Sequence, residues 1–358
     1  MKKNKRQLDY KTQPLSKHKK ETCSCSTPCV PIFTNENSQQ LAKNGYTVVK
    51  NVIPKELCER GKQEIQDYLQ SWNPNIGINN DWKMTDLPVG TIHGINRNHA
   101  HMKTHWEIRA HPHVMRVFSK IHGTCPCQLI TSLDSWNFYS AAKSSKCGFW
   151  AHTDQKTEYP NLMVQGLVCL EDCSGDNDGG LVVWDKSHRI HAGYFKEKNI
   201  SLKDNWYKYP EEDTHLIEND GSRWLSNNDP EKCSKVPMKR IRVKAEQGDL
   251  VLWDSRTAHQ NQPPQKGGRD RYVMYVCEAD CNLLTEKDIK VKQKAWETLG
   301  MTSHWPVSFV KMFPATPRFY AKSLKEYYEE KHKPPERPEL TEVQKRLLGY
   351  RYFKNCQC

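Results

Sequence analysis

The spacing of hydrophobic residues changes along the chain. Near the start of the patterned region, residues 36–44 have helical spacing and are followed by the strand-like segment Tyr46–Lys50. After Pro54, which suits the first turn of a helix, apolar residues recur on one helical face. The pattern therefore predicts a module of helix, strand and helix at the start of the folded region.

From residue 128 to residue 282 the apolar runs are short, and Gly, Pro and Asp clusters separate them. A helix is predicted before them, over His113–Ile121. The runs are Gln128–Tyr139, Leu162–Leu170, Leu181–Trp184, Ile241–Ala245, Leu250–Trp253 and Tyr272–Cys277. Many short strands joined by turns favour a sandwich or barrel core. Alternation with full helices, which a parallel sheet requires, is not seen, so we expect a mainly β protein with flanking helices.

Two further segments complete the predicted organisation. Residues 73–105 are rich in Asn, Gly, His and Asp with little periodicity, which indicates long irregular structure beside a site, with a lid as one role. After Asn282 the pattern is helical again, with candidates at Thr285–Leu299, Ala321–Lys331 and Thr341–Leu348. We expect a disordered arm over 1–32, a β domain over 33–282 and a helical extension over 283–358 that packs on the core.

Composition supports a folded chain with one unusual end. The 358 residues include 11 Trp, 15 Tyr and 9 Phe, too many aromatics for a disordered protein. The net charge is +12, and residues 1–20 contribute eight Lys or Arg against one Asp. Such an arm suits nucleic acid, an anionic surface or a nuclear address, but a solvated terminus is the favoured interpretation.

The sequence also predicts the cellular environment. It contains no apolar stretch long enough to span a membrane and no signal-peptide pattern, so we expect a soluble intracellular protein, cytoplasmic or, through the basic arm, nuclear. The 14 cysteines are then expected to be reduced. They occur in close groups, such as Cys125 with Cys127, but without the C-x-x-C spacing of structural zinc sites.

The chemistry-bearing residues point to a metal rather than to a phosphate or an acyl group. The chain has no glycine-rich phosphate loop, no G-x-S-x-G elbow and no H-E-x-x-H pair. His152-Thr153-Asp154 has the H-x-D spacing of a facial triad, in which two His and one carboxylate hold iron(II) and leave positions open. With 15 His, a chain of this length is expected to contain such a tripeptide by chance, so context must decide.

Two later residues complete a candidate site. The run Gly248–Trp253 predicts a turn followed by a buried strand. His259 comes after this strand, in a predicted polar loop, so its side chain should lie at the end of the strand. Arg271 begins the strand Tyr272–Cys277, where a guanidinium can pair with the far carboxylate of a dicarboxylic cosubstrate. Arg269 faces the same side by strand alternation, but it still lies in the Gly-Gly turn, so Arg271 is favoured.

Four ordered blocks resemble the phytanoyl-CoA dioxygenase family of iron and 2-oxoglutarate oxygenases, over about residues 36–282. They are Leu41–Val49, His152–Gln155, Asp178–Arg189 and Gly248–His259. The third block departs from the family in having Asp185-Lys186 where a Pro-Gly turn is usual before Ser-His.

The resemblance implies a double-stranded β-helix (jelly-roll, cupin-like) core. It also implies iron held by His152, Asp154 and His259, 2-oxoglutarate anchored by Arg271, and O2 as the second cosubstrate. Trp184, at the end of the glycine-leucine strand, is a weaker candidate for the wall of the cosubstrate pocket. The predicted activity is hydroxylation of a small or lipid-like molecule.

Two alternatives remain open from the sequence. The first is a non-catalytic β-helix protein that uses the basic arm to bind nucleic acid or a partner, although such a protein would have no reason to keep all four site residues. The second is an oxygenase whose arm recruits a macromolecular substrate. A competing triad-like tripeptide, His105-Trp-Glu107, lies in polar irregular sequence and is disfavoured.

Overall fold

A computed structural model describes residues 32–72, 93–97, 99–142, 148–229, 231–232, 237–314, 322–331 and 336–350. These residues belong to one compact unit that begins at Ile32. The basic arm and residues 73–92 of the predicted irregular segment lie outside the described residues.

The helices flank the strands at both ends of the chain and between the later strands. They are α1 Asn35–Asn44, α2 Lys55–Trp72, α3 Lys103–Arg109, α4 Pro112–His122, α5 Ser187–Glu197, α6 Glu211–Asp220, α7 Glu286–Glu297, α8 Lys322–Lys331 and α9 Glu342–Leu348. None of the helices in these ranges has the length and apolar character needed to cross a membrane.

The strands are short, as the spacing of apolar runs predicts. They are β1 Tyr46–Val49, β2 Ile95–Asn96, β3 Leu129–Thr131, β4 Trp136–Tyr139, β5 His152–Thr153, β6 Val164–Cys169, β7 Gly180–Trp184, β8 Tyr207–Lys208, β9 Arg240–Arg242, β10 Leu250–Asp254, β11 His259–Gln262, β12 Arg271–Val276, β13 Glu278–Asp280, β14 Met301–Thr302 and β15 Met312–Phe313.

Two antiparallel sheets organise the core. The larger sheet has six strands in the order β1-β10-β6-β12-β4-β2, and the smaller has five in the order β8-β5-β11-β7-β9. Leu167 and Val251 of the larger sheet join Leu181 and Val183 of the smaller sheet in one buried cluster. The two sheets therefore face each other across a shared apolar layer, as in a sandwich.

Helices cover the outer face of the larger sheet. Leu57 and Ile65 of α2 and Val114 of α4 belong to the same buried cluster as Val168 and Leu250, whose side chains alternate with those of the inner layer. This arrangement buries both faces of the sheet, which explains why its central strands β6 and β10 are buried along their whole length and mostly apolar.

The junction between α1 and β1 fixes the chain near the smaller sheet. Thr34 caps α1 through a capping box with Asn37, and Gly45 ends the helix with a φ of 82°. A Cβ at Gly45 would lie 2.5 Å from His188 and from Thr257, so both the left-handed backbone and the close approach require glycine.

Three helices, α3, α5 and α6, were not predicted from the sequence. α5 and α6 lie between β7 and β9 and pack in a separate cluster against the smaller sheet, with Tyr194, Ile217 and Trp224 buried. The protein is therefore a mixed α/β structure with antiparallel sheets rather than a mainly β one. The prediction of many short strands with flanking helices is confirmed in this broader form.

Candidate metal centre

Two histidines meet because their strands are neighbours. His152 begins β5 and His259 begins β11, and the two residues are direct antiparallel partners. Their side chains are buried, and their ring centroids lie 4.2 Å apart. His259 therefore belongs to a strand of its own and not to the polar loop that the sequence predicts.

Each imidazole is oriented by a backbone carbonyl two residues earlier in the chain. His152 Nδ1 lies 3.0 Å from the carbonyl oxygen of Trp150, and His259 Nδ1 lies 2.9 Å from that of Thr257. An Nδ1–H that donates to a carbonyl leaves the Nε2 lone pair free for a metal ion. Both rings thus have the tautomer and the orientation of metal ligands.

A carboxylate completes the group. Asp154 follows β5, and its backbone N–H donates to the carbonyl of Ser255 over 2.8 Å. Its Oδ2 lies 3.5 Å from His152 Nε2 and 3.2 Å from His259 Nε2. Ligand atoms about 3 Å apart are what bonds of about 2.1 Å at right angles require. Within the described ranges, these three residues are the only such group of potential metal ligands.

The charges of the site favour metal binding. Burial lowers the pKa of His152, and the neighbouring His259 acts in the same direction, so the neutral imidazole is preferred. Burial alone would raise the pKa of Asp154, but the facing side chains of His304, His152 and His259 hold it well below its usual range. Neutral imidazoles and an ionised carboxylate are the protonation states that a divalent cation needs.

Two residues that the sequence analysis missed hold the carboxylate in place. The side-chain amide of Gln165, on β6, donates to Asp154 Oδ2 over 2.9 Å. The indole N–H of Trp305 donates to the backbone carbonyl of Asp154 over 3.1 Å. A lone Gln inside the apolar run of β6 was a signal that could have been recognised, whereas Trp305 lies in irregular sequence with no such signal.

A cavity of about 760 Å³ opens on the three ligands. This is within the range of about 300–1,000 Å³ that is usual for small-molecule sites. Asn261 and Tyr275 line it on one side of the ligands, and Trp150, Trp206 and Trp305 contribute aromatic surface.

Arg271, on β12, is not among the described residues that line the cavity, but it contacts the lining residue Asn261. It is buried, its guanidinium donates to Asn137 and, over 3.2 Å, to Asn261, and its Nε has no hydrogen-bond partner among the described residues. Asn261 also donates to the hydroxyl of Tyr275 over 2.9 Å. A buried guanidinium nitrogen without a partner fits an additional acceptor such as a carboxylate oxygen.

Arg269, the alternative arginine, is already paired. Its guanidinium lies 2.6 Å from Asp172 and 2.6 Å from Asp178, at the turn before β12. Both carboxylates therefore engage the Arg269 side chain, whereas Arg271 has a buried guanidinium nitrogen that the described residues leave without a hydrogen bond.

Two other predicted candidates lie elsewhere. Trp184 is buried in the cluster formed with α5 and α6, and its indole donates to Glu218 over 2.7 Å. It is absent from the described residues that line the cavity, and a cosubstrate role for it stays a prediction. His105, of the competing tripeptide, hydrogen-bonds the carbonyl of Tyr275, while Glu107 pairs with Arg60.

The fold and the site together define a class of protein. Two histidines and one carboxylate on one side of a cavity, with room beside them, are the ligand set of non-haem iron(II) oxygenases that bind a cosubstrate and O2 at open positions. The model of the phytanoyl-CoA dioxygenase (PhyH) family matches residues 41–265. The chain belongs to this family, which confirms the resemblance seen in the four sequence blocks.

Individual known proteins are similar to this chain at low sequence identity. "Ava biosynthesis cluster protein O" of Aspergillus versicolor is 24% identical over 273 residues, which cover 75% of this chain and 85% of that protein. HygX from Streptomyces hygroscopicus, solved with nickel and 2-oxoglutarate, is 13% identical with a TM-score of 0.42, covering 71% of this chain and 89% of that one. The non-haem monooxygenase ThoJ is 12% identical with a TM-score of 0.43, covering 86% and 96%.

Proposed function

We propose that this protein hydroxylates a C–H bond of a small molecule, with iron(II) held by His152, Asp154 and His259. The observation that carries the proposal is the meeting of the three ligand atoms within 4.8 Å of one another at the wall of a cavity. The oriented imidazoles and the ionised carboxylate already have the form in which they bind a metal.

Iron(II) and 2-oxoglutarate, when bound, supply the oxidation: O2 and 2-oxoglutarate are converted to succinate and CO2, and one oxygen atom enters the substrate C–H bond as hydroxyl. The residues of the chain provide placement. The histidines and Asp154 leave half of the metal's coordination sphere free, and the buried walls limit water around the reacting atoms.

We propose that Arg271 binds the carboxylate of 2-oxoglutarate remote from the metal. Its unpartnered Nε, its burial and its contacts with Asn261 and Tyr275 support this role. Asn137 and Asn261 fix the plane of the guanidinium, which is what paired recognition of a carboxylate requires.

We also propose that the two facing sheets are the layers of a double-stranded β-helix within residues 33–282. Residues 283–358 would then be an extension that completes the site. The shared apolar layer of the two sheets supports the first statement. The presence of Trp305 and Phe309 at the cavity supports the second.

A small organic molecule is the proposed substrate. The cavity volume suits a ligand of that size, and the similar Aspergillus protein is named as part of a biosynthesis cluster. A lipid-like substrate is compatible with the same apolar walls.

The test is conversion of 2-oxoglutarate to succinate by purified protein with iron(II) and O2. We expect slow succinate formation even without substrate, and its loss in His152→Ala and His259→Ala. His113→Ala is the matched control, because that histidine lies on α4 and bonds the carbonyl of Val52, away from the cavity. Equal turnover in all three variants and the parent would show that the metal ligands are wrongly assigned. No turnover in the parent would favour the non-catalytic binding protein instead.

A further inference from the structure

One wall of the cavity comes from outside the family match. The family model ends at residue 265, but the cavity is also lined by residues between 285 and 313, which we call the wall segment. It includes α7, β14 and β15 and the turns between them. This part of the cavity surface therefore lies outside the residues that the family model matches.

The wall segment is fixed to the metal centre. Trp305 donates to the carbonyl of the ligand residue Asp154, and its ring packs edge-on against Tyr159 and Phe309, with centroids 4.9 and 5.2 Å apart. Tyr159 also contacts Phe309 at 5.3 Å, and its hydroxyl lies 3.3 Å from that of Ser308. The shape of this wall is thus set by packing, so it can select a ligand.

Ring faces surround the approach to the metal. The indole of Trp150 stacks on His152 with centroids 4.5 Å apart. The ring centroid of Trp206 lies 5.9 Å from that of His152. Trp206 is 52% exposed, although it lines the cavity. An exposed tryptophan at a cavity mouth offers a large apolar face that a planar ligand can cover.

The buried carboxylates of the cavity are already satisfied. Asp288 is 3% exposed, and its Oδ2 accepts hydrogen bonds from Thr285 and from the backbone N–H of Ser308. Asp154 faces the two ligand histidines. Neither carboxylate is available to pair with a cationic ligand.

Asp134 and Arg97 are the other charged residues of the inner cavity, and both already have partners in the chain. Burial raises the pKa of Asp134, which favours its neutral form, although the backbone N–H of Ser135, at 2.7 Å, and the nearby Arg109 and Arg97 act in the opposite direction. The guanidinium of Arg97 lies 4.8 Å from the centroid of the Phe313 ring. A charged ligand group placed here would lose hydration without gaining an unused partner.

The other charges lie at the solvent-exposed rim. Lys311 and Asp204 form an ion pair of 3.5 Å, with 61% and 75% of their side chains exposed. Lys287 is exposed on the first turn of α7. Water and salt screen such charges, so they contribute little to the selection of a charged ligand.

We propose that the cavity takes an uncharged, ring-containing small molecule, which lies against Trp206 between the core and the wall segment. This inference rests on the proposed function, because it concerns the substrate side of the same site. The ring surfaces provide its affinity, and the inner charges already have partners in the chain. His304 also lines the cavity, and its buried Nε2, which has no hydrogen-bond partner among the described residues, can bond an uncharged polar group of the ligand.

The test uses four probe molecules that differ in charge or in the presence of a ring. They are 2-naphthol, 2-naphthoate, 2-naphthylmethylammonium and the ring-free alcohol 1-octanol. Calorimetric titration is performed on the full chain loaded with manganese(II) and saturating 2-oxoglutarate, which prevents naphthoate from binding at the metal. We expect 2-naphthol to bind about tenfold more tightly than each of the other three.

Variants test whether 2-naphthol binds against Trp206. Trp206→Ala should weaken 2-naphthol binding about tenfold, while Trp206→Phe should recover most of it. Leu216→Ala is the matched control, since Leu216 is an exposed apolar residue on α6 that does not line the cavity.

The outcomes separate this inference from the proposed function. If manganese and 2-oxoglutarate do not bind the parent protein, the oxygenase proposal fails and the inference fails with it. If they bind but no probe does, or a charged probe or 1-octanol binds as tightly as 2-naphthol, the inference alone is overturned. An unchanged affinity in Trp206→Ala overturns it as well.

Discussion

The amide nitrogen of Gln165 lies 2.9 Å from Asp154 Oδ2, the same oxygen that faces both ligand histidines. Gln165 sits on β6, in the larger sheet, whereas the histidines belong to the smaller sheet. One hydrogen bond thus ties the carboxylate of the metal centre to the opposite layer of the sandwich, which fixes its rotamer before a metal arrives.

Removal of this hydrogen bond should weaken metal binding. Gln165→Leu keeps the approximate volume but lets the Asp154 carboxylate rotate, so we expect iron(II) or manganese(II) affinity to fall about tenfold or more. Gln66→Leu is the matched control, because its amide bonds the hydroxyl of Tyr272 outside the cavity. Metal titration followed by electron paramagnetic resonance of manganese measures both, and equal affinities would remove Gln165 from the account.

The two arginines near β12 should behave differently. Arg271→Ala should raise the KM for 2-oxoglutarate about a hundredfold and leave metal affinity nearly unchanged, because a buried charge-assisted pair is lost. Arg269→Ala breaks ion pairs with Asp172 and the buried Asp178 at the turn before β12, and Arg269 does not line the cavity, so its effect on the same KM should be less than about threefold. A larger effect at Arg269 would reverse the assignment.

Trp305 provides a test of the contact between the wall segment and the metal centre. Trp305→Phe keeps an aromatic ring beside Tyr159 but removes the indole N–H that donates to Asp154. We expect metal affinity to fall about threefold to tenfold, with a small loss of stability of about 1 kcal/mol. Trp296→Phe is a control on α7, where the ring contacts His101 and Trp106 instead; a similar loss of metal affinity there would show a general effect of packing.

Acid should destabilise the protein through its buried histidines. Burial, with the nearby Arg109 charge, lowers the pKa of His101 to about 3, and its Nε2 bonds the carbonyl of Gly300. The unfolded chain then binds more protons between pH 6.5 and pH 3. The stabilisation by neutral His101 is complete above pH 6.5 and is lost as the pH falls through this window.

The variant His101→Gln isolates this contribution. Because glutamine does not titrate, the free energy of unfolding should fall less steeply below pH 6.5, by up to about 1.4 kcal/mol per pH unit. Urea denaturation of the metal-free protein at several pH values measures the slope. His188 and His191 have lowered pKa values as well, so the slope should decrease and not disappear; an unchanged slope would contradict the assignment.

The metal ligands could be predicted from sequence because their signals are local. The H-x-D spacing of His152 and Asp154, and the buried strand before His259, mark strand ends where side chains converge. The sequence did not show that His259 itself begins β11, because its strand partners His152 and Val183 lie 107 and 76 positions earlier in the chain.

The other features of the fold and the site were recognised only in the structure. The buried residues His188, His191 and Phe195 of α5 have helical spacing, which was a readable signal that the sequence analysis missed. The contact of Trp305 with Asp154 joins residues 151 positions apart and leaves no periodic pattern. Tertiary contacts of this kind determine the cavity wall, which is why the substrate side of the site could not be foreseen.

The central claim is that one metal ion is bound by His152, Asp154 and His259 together. A crystal structure with manganese(II) and 2-oxoglutarate tests it most directly through the anomalous signal of the metal. We predict a single strong peak about 2 Å from both Nε2 atoms and from a carboxylate oxygen of Asp154. A peak at any other group of side chains, or one that excludes either histidine, would contradict the account.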